Sequence, residues 1–255
     1  MSEPRPLCIV DFRRLEARPA LAAVLAERGW PVITADDPVA ELAVGDRPPS
    51  LPTLARRCVD KLAGDGDHPG VVVGVCAAAR LGLLVAELLR RRGVDTRCVL
   101  VDPNWAGHAE LTVSFDAILS SLGGSPAAAR AALASAGDTG PEVERMTAIL
   151  ERRLRTALSE KGQAAIADAV VPMMVGRYRG WLGFLQVAGT ATPALVPPTW
   201  AVVPPGRTRP QWWEGVWRTT VVEDLDDKLR RAHPEAIDAV TATIEEALTA
   251  GLSST

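Results

Sequence analysis

The stretch Gly70-Val-Val-Val-Gly-Val-Cys-Ala-Ala78 decides the fold of this chain. Its first six residues form an uncharged apolar run, which is typical of a strand covered on both faces of a parallel sheet. The run leads directly into residues 77–92, which have the spacing of a helix that ends at Gly93. This pattern predicts a strand–helix unit with Cys76 at the turn.

Strand and helix patterns alternate on both sides of this unit. Further strands are predicted at residues 7–12, 31–35, 98–101, 199–203 and 217–222, and further helices at residues 19–28, 51–62 and 234–248. Alternation of this kind implies a parallel sheet with right-handed crossovers. The sequence therefore predicts an α/β fold.

A block of mostly helical pattern interrupts the alternation. We expect the α/β core to comprise residues 1–104 and 197–255, and the inserted residues 105–196 to form a helical lid over the strand ends. An independent helical domain is the alternative.

Composition excludes several classes of function. The 255 residues are 47% hydrophobic and 23% charged, as in a soluble globular protein. The formal net charge of −3 gives no general basic field for nucleic acid. The chain begins Met1-Ser-Glu-Pro-Arg-Pro6 without an apolar run, and residues 71–79, its longest uncharged apolar stretch, are too short to cross a bilayer. We expect a cytoplasmic protein without nucleic-acid or membrane partners.

The cysteines point to one candidate site. Four cysteines without a CxxC pair, beside only three histidines, predict no structural metal site. Cys8, Cys58 and Cys98 fall in strand or helix patterns and are interpreted as small buried hydrophobic residues. Cys76 differs because of its position at the turn.

A nucleophile on a sharp strand-to-helix turn needs small residues two positions to either side, and Gly74 and Ala78 meet this requirement. The helix amino terminus favours an anion and lowers a thiol pKa. The N–H of Ala77 would point at a developing oxyanion. The alternative interpretation is tight strand–helix packing around a buried thiol.

Asp102 is the candidate partner of Cys76. It ends the next predicted strand in Leu100-Val-Asp-Pro-Asn104. Catalytic groups gather at the carboxyl ends of parallel strands, and adjacent strands would bring the two residues close together. The alternative is a turn residue before Pro103.

At these residues the sequence resembles the thioesterases of the α/β-hydrolase superfamily that serve polyketide and nonribosomal peptide assembly lines. The matching stretches are residues 54–62, 70–78, 83–93 and 98–103. The resemblance implies a mostly parallel sheet with helices on both faces, a nucleophile at Cys76, an acid partner at Asp102 and a lid over an acyl channel. It also implies no bound cofactor, and an acyl or peptidyl carrier protein that presents its substrate as a phosphopantetheine thioester.

Three features depart from that family. Cys76 stands where the family has serine. Asp11-Phe-Arg-Arg14 replaces a glycine-rich turn, which leaves the Phe12 and Arg13 amides as candidates to complete the oxyanion hole. When residues 222–229 are aligned on the turn that carries the catalytic histidine, Leu225 takes the position of the histidine.

Two histidines, His233 and His108, are candidates to replace the missing base. His233 immediately precedes Pro234 at the predicted start of the last helix, where a surface helix cap is the alternative role. His108 lies in the first turn of the expected lid, and His68 precedes the Cys76 strand at its far end.

A thiol at a helix amino terminus ionises without a base, whereas a serine hydroxyl does not. We therefore expect an acyl-Cys76 intermediate and acyl transfer between thiols more than hydrolysis, although a nearby Asp102 carboxylate would raise the thiol pKa and oppose this. The alternatives are a catalytically degenerate homologue that scaffolds carrier proteins or holds a product, and a cyclase or condensation catalyst that uses the lid cavity.

Overall fold

The computed structural model describes residues 5–11, 20–35, 39, 42, 49–64, 68–105, 107–135, 141–188, 198–207 and 217–250. The chain divides into two compact units. The first comprises Met1–Asp37, Ser50–Trp105 and Ala191–Thr255, and the second Pro38–Pro49 and Ala106–Thr190. That the second unit acts as a lid stays a prediction.

The first unit is built on a six-stranded sheet. Its strands are β1 (Leu7–Val10), β2 (Val32–Thr34), β3 (Val71–Val75), β4 (Arg97–Val101), β5 (Thr199–Val203) and β6 (Trp217–Val221). Their order is β2-β1-β3-β4-β5-β6, and each neighbouring pair is parallel. The chain leaves β1 toward β2 on one side and returns to β3 on the other, so β1 and β3 flank the switch point where ligands gather in such sheets. The predicted parallel sheet is confirmed.

Helices cover both faces of this sheet. They are α1 (Leu21–Glu27), α2 (Leu51–Gly64), α3 (Ala79–Arg91), α8 (Leu225–Arg230) and α9 (Pro234–Thr249). On one face, alternate residues of β3, Val71, Val73 and Val75, share a hydrophobic core with α1, α8 and α9. On the other face α3 packs on β1, β3 and β4, and α2 packs on α3. Burial on both faces explains why β1, β3 and β5 are apolar along most of their length.

The second unit is helical. It contains α4 (His108–Ser121), α5 (Pro126–Ser135), α6 (Glu142–Glu160) and α7 (Ala167–Ala188). The helices α6 and α7 run antiparallel, since Arg179 pairs with Glu144 at 3.1 Å and Arg155 pairs with Asp168 at 3.3 Å. Within the part of the chain that the structure describes, no helix has the length and apolarity needed to cross a membrane.

The helix α8 was not predicted from the sequence. Asp224 precedes it with a φ of +50°, which turns the chain sharply out of the segment after β6. Acidic residues in its first turn and basic residues in its last turn suit the helix dipole. Only six residues form α8, so its helical spacing is too short to stand out in the sequence.

Candidate active site

Cys76 sits on a strained turn between β3 and α3. Its φ is +49°, a backbone conformation that residues other than glycine rarely adopt. A 3₁₀ turn over Cys76–Ala78 follows and passes directly into α3. The Cys76 carbonyl accepts a hydrogen bond from the Asn104 N–H at 3.1 Å, and the side chain is partly exposed. The structure therefore holds Cys76 at a tight bend, partly exposed and partly packed against the hydrophobic core.

Small residues make this bend possible. A Cβ atom at Gly74 would lie 3.1 Å from the Cα of Ala79, and one at Gly82 would lie 3.0 Å from the Cα of Gly74. Ala78 is fully buried beneath the turn. Sequence reasoning selected Gly74 and Ala78 but missed Gly82. Its signal was available, because a glycine inside an otherwise strong helix indicates a close approach.

The oxyanion candidates are described only in part. Ala77 is buried in the first turn after Cys76, where backbone N–H groups have no acceptor within their own helix. Phe12 and Arg13 lie outside the described residues. Asp11 follows β1 and is partly buried.

Asp102 stands beside Cys76 at the same edge of the sheet. Val75 and Val101 are paired in the register of β3 and β4, so Cys76 and Asp102 are the next residues along the two strands. Asp102 also has a positive φ, +47°, and is 8% exposed. Its N–H donates to the carbonyl of Val202 at 2.8 Å, which extends the β4–β5 pairing by one bond.

The Asp102 carboxylate forms an ion pair with Arg207. The Arg207 guanidinium donates to Asp102 Oδ1 at 3.2 Å. A tight turn after β5 delivers Arg207: its N–H bonds to the Pro204 carbonyl at 3.3 Å, and Gly206 has a φ of +76°. Proline at the second position and glycine at the third are the residues that a type II turn favours. Sequence reasoning missed Arg207, although Pro204-Pro-Gly-Arg207 directly after a strand is a turn signal.

Leu225 occupies the position that the resemblance assigns to the base. It is fully buried and belongs to the hydrophobic core that also contains Val75, and Cys76 packs against that core. The segment after β6 therefore contributes packing at this position.

His233 caps the amino terminus of α9. Its Nδ1 accepts from the Glu235 N–H at 3.4 Å, and the residue is exposed. A neutral imidazole that accepts at Nδ1 carries its proton on Nε2 and has no second lone pair to offer a thiol. In this arrangement the His233 imidazole caps α9. A role as base stays a prediction, and it requires the hydrogen bond from the Glu235 N–H to break.

The other two histidines belong to other elements of the chain. His68 precedes β3 at its amino end, the opposite end of the strand from Cys76. His108 begins α4 in the second unit, where its Nδ1 lies 3.5 Å from Glu142 Oε2 and its side chain is 73% exposed.

Backbone strain is concentrated at this edge of the sheet. The four described residues other than glycine with positive φ are Cys76, Asp102, Asp224 and Ala232. The first three follow the ends of β3, β4 and β6. Ala232 lies between α8 and α9 and lines a small cavity with Asp11 and Val75, which has room for about one water molecule. Strained residues cluster at functional sites, so this edge is the candidate active site.

The remaining cysteines are buried, as predicted. Cys8 and Cys98 are fully buried and Cys58 is 7% exposed. Burial raises the pKa of the Cys8 thiol to about 12, with a further contribution from Cys58, and burial raises the pKa of Cys98 as well. Cys8 and Cys98 are therefore poor nucleophiles near neutral pH.

Comparison with solved structures finds the same architecture in thioesterase domains. The NocB thioesterase domain, in covalent complex with a fluorophosphonate nocardicin G analogue, is 17% identical, with 96% of this chain and 95% of that chain covered and a TM-score of 0.56. The RedJ thioesterase of the prodiginine pathway of Streptomyces coelicolor is 17% identical, with coverages of 96% and 94% and a TM-score of 0.51. A four-domain nonribosomal peptide synthetase bound to AMP and glycine is 13% identical, with coverages of 95% and 19% and a TM-score of 0.56.

No family sequence model and no curated protein sequence matches the chain. The structural likenesses and the parallel sheet with helices on both faces show that the chain has the α/β-hydrolase fold.

Proposed function

We propose that this protein is a thioesterase-like enzyme of natural-product biosynthesis that processes acyl or aminoacyl thioesters through an acyl-Cys76 intermediate. The observation that carries the proposal is the left-handed backbone of Cys76 at the β3–α3 turn, where the thiol is partly exposed. Thioesterase activity is named for the structural neighbours NocB and RedJ, which supports the choice of thioester chemistry.

The proposed reaction begins with the Cys76 thiolate. It attacks the thioester carbonyl, and the Ala77 N–H at the start of the helical segment stabilises the oxyanion. The carbonyl then re-forms as the bond to the phosphopantetheine sulfur breaks, so the acyl group moves to Cys76 and the carrier leaves as a thiolate. One thiolate replaces another, and the step is close to thermoneutral.

The second half of the reaction discriminates between acceptors. Hydrolysis requires a base to activate water, and such assistance typically contributes ~10²–10⁴-fold. Leu225 is buried at the position of the expected base, and His233 Nδ1 accepts a hydrogen bond from the backbone. These features favour a thiol acceptor over water. The partner is an acyl or peptidyl carrier protein.

The test is acylation of the purified protein. Wild type and Cys76→Ala are incubated with carrier proteins loaded with several acyl and aminoacyl groups, and intact mass is recorded over time. The proposal predicts one acyl adduct per chain, mapped to Cys76 and absent from Cys76→Ala. Cys58→Ala is the matched control and should acylate like wild type. An unmodified wild-type protein with every carrier would refute the proposal.

A second candidate function is a scaffold that binds carrier proteins or a product without making bonds. Buried Leu225 and the pairing of Asp102 with Arg207 favour it, because neither resembles a working base. Carrier binding by wild type and Cys76→Ala with equal affinity, and no adduct on either, would select this function.

A further inference from the structure

Arg207 pairs with a carboxylate that stands beside the candidate nucleophile. A carboxylate beside a thiol raises the thiol pKa, because the thiolate would be a second negative charge. Asp102 is such a carboxylate: it follows β4 where Cys76 follows β3. Neighbouring strands lie about 4.8 Å apart, so the two side chains originate close together. Without compensation, Asp102 would suppress the chemistry proposed for Cys76.

We propose that Arg207 is a positioning residue that cancels the charge of Asp102 and thereby keeps the Cys76 thiol reactive. The inference rests on the proposed role of Cys76 as the nucleophile.

The geometry supports this role for Arg207. The guanidinium lies 3.2 Å from Asp102 Oδ1, and the Asp102 side chain is 12% exposed while that of Arg207 is 37% exposed, so solvent screens the pair only in part. The turn from Pro204 to Arg207 fixes the backbone that delivers the guanidinium. Since β5 pairs with β4, this turn begins at the same edge of the sheet as Cys76.

The pair has a consequence for the choice of acceptor. An imidazole beside an aspartate can take a proton, whereas a guanidinium offers only donors and stays charged. Arg207 therefore supplies charge compensation without supplying a base. This combination serves thiol-to-thiol transfer, in which the attacking thiol needs only to ionise.

Other charged or titratable groups lie on the elements of the first unit that follow or pack on this sheet. Asp11 follows β1, Arg80 lies in the first turn of α3, Asp224 precedes α8 and His233 precedes α9. All four are unchanged in the variants used below, so their contributions cancel when variants are compared.

The test is a double-mutant cycle on the pKa of Cys76, measured from the pH dependence of iodoacetamide labelling resolved by peptide mass spectrometry. Arg207→Gln is expected to raise the Cys76 pKa by about one unit, because the variant leaves the Asp102 charge beside the thiol uncompensated. Asp102→Asn should lower the pKa by a similar amount. The double variant should return to within about half a unit of wild type, because neither charge remains.

Two further variants separate this role from a structural one. Arg207→Lys keeps the charge and should restore a pKa near that of wild type. Arg218→Gln removes a different arginine. Arg218 lies on β6 and pairs with Glu246 of α9 at 2.8 Å, and its replacement should leave the Cys76 pKa unchanged.

An unchanged pKa in Arg207→Gln overturns the proposal, as does a pKa that stays raised in the double variant. If Arg207→Gln does not fold, Arg207→Lys and Asp102→Asn carry the test, and an unchanged pKa in Asp102→Asn overturns it. The labelling readout needs no acyl carrier. Failure of acylation with an intact pKa cycle therefore refutes the proposed function alone.

Discussion

Two strand-to-helix turns of the first unit share a left-handed backbone residue but differ in the exposure of the side chains at the turn. The β3–α3 turn passes through Cys76 at a φ of +49°, and the β6–α8 turn passes through Asp224 at +50°. At the first, the thiol is partly exposed. At the second, Leu225 follows immediately and is fully buried.

This difference distinguishes what the backbone of a turn specifies from what the residue at the turn specifies. Both turns keep the sharp left-handed geometry at the carboxyl edge of the sheet, so the fold specifies where side chains emerge. The residue placed there then decides whether the turn can act on a substrate or only packs. The β3 turn carries a partly exposed cysteine, the nucleophile of the proposed function, and the β6 turn leads into a core residue.

The largest expected difference in stability comes from shortening one side chain at each turn to alanine. Leu225→Ala should lower the free energy of unfolding by about 2–5 kcal/mol, because it opens a cavity at a fully buried position. Cys76→Ala removes a partly exposed thiol and should cost less than about 1 kcal/mol. Urea unfolding of both variants measures the difference.

Similar losses of unfolding free energy in these two variants would show that the two turns do not differ in this way. Cys76 would then be a packing residue like Leu225, and the interpretation as a nucleophile would lose its structural basis.

A smaller effect should come from the glycine that permits the β3 turn. Gly82→Ala places a Cβ 3.0 Å from the Cα of Gly74, and the backbone on both sides must shift. We expect a loss of about 1–3 kcal/mol and slower labelling of Cys76.

Gly183→Ala is the matched control for this substitution. Its Cβ would lie 3.9 Å from the Cβ of Leu42, an ordinary contact, and the change should be neutral or stabilising by up to about 1 kcal/mol. Equal effects of the two substitutions would show that close approach of α3 to β3 does not constrain the turn.

The parallel sheet and the Cys76 turn could be predicted because local sequence dictates them. Strands buried on both faces are apolar throughout, as in Val71–Val75, and glycines mark where helix and strand touch. The helix α8 could not be predicted in this way, since it has only six residues and depends on the turn at Asp224.

The ion pair between Asp102 and Arg207 was beyond sequence reasoning for a different reason. The two residues are 105 positions apart, and only the pairing of β4 with β5 brings them together. The Pro204-Pro-Gly-Arg207 turn was visible in the sequence, but its partner was not. The cap formed by His233, by contrast, was available from the sequence as the alternative role of this residue, because Pro234 marks the start of the last helix.

The smallest expected effect concerns the side-chain contacts of β5 and β6 with Glu246 on α9. Arg218 and Trp200 donate hydrogen bonds to Glu246, with Arg218 the larger influence, and these bonds lower the pKa of Glu246. A carboxyl whose pKa is lower in the folded state contributes stability above its unfolded pKa of about 4.3, and that contribution is lost as the pH falls through the folded pKa.

Glu246→Gln should therefore lower the free energy of unfolding by less than about 1 kcal/mol at pH 7, with the difference from wild type shrinking below about pH 4. Glu245→Gln removes the same charge from the neighbouring position as a control. A difference that grows on acidification would contradict the assignment of these contacts to stability.

Peptide-resolved labelling of the native protein with iodoacetamide at pH 8 measures directly whether the β3 turn presents a reactive thiol. Burial raises the pKa of Cys8 to about 12 and raises that of Cys98, so both should label slowly. We predict that Cys76 labels at least about a hundredfold faster than either. Labelling of Cys76 at the rate of the buried cysteines would contradict it.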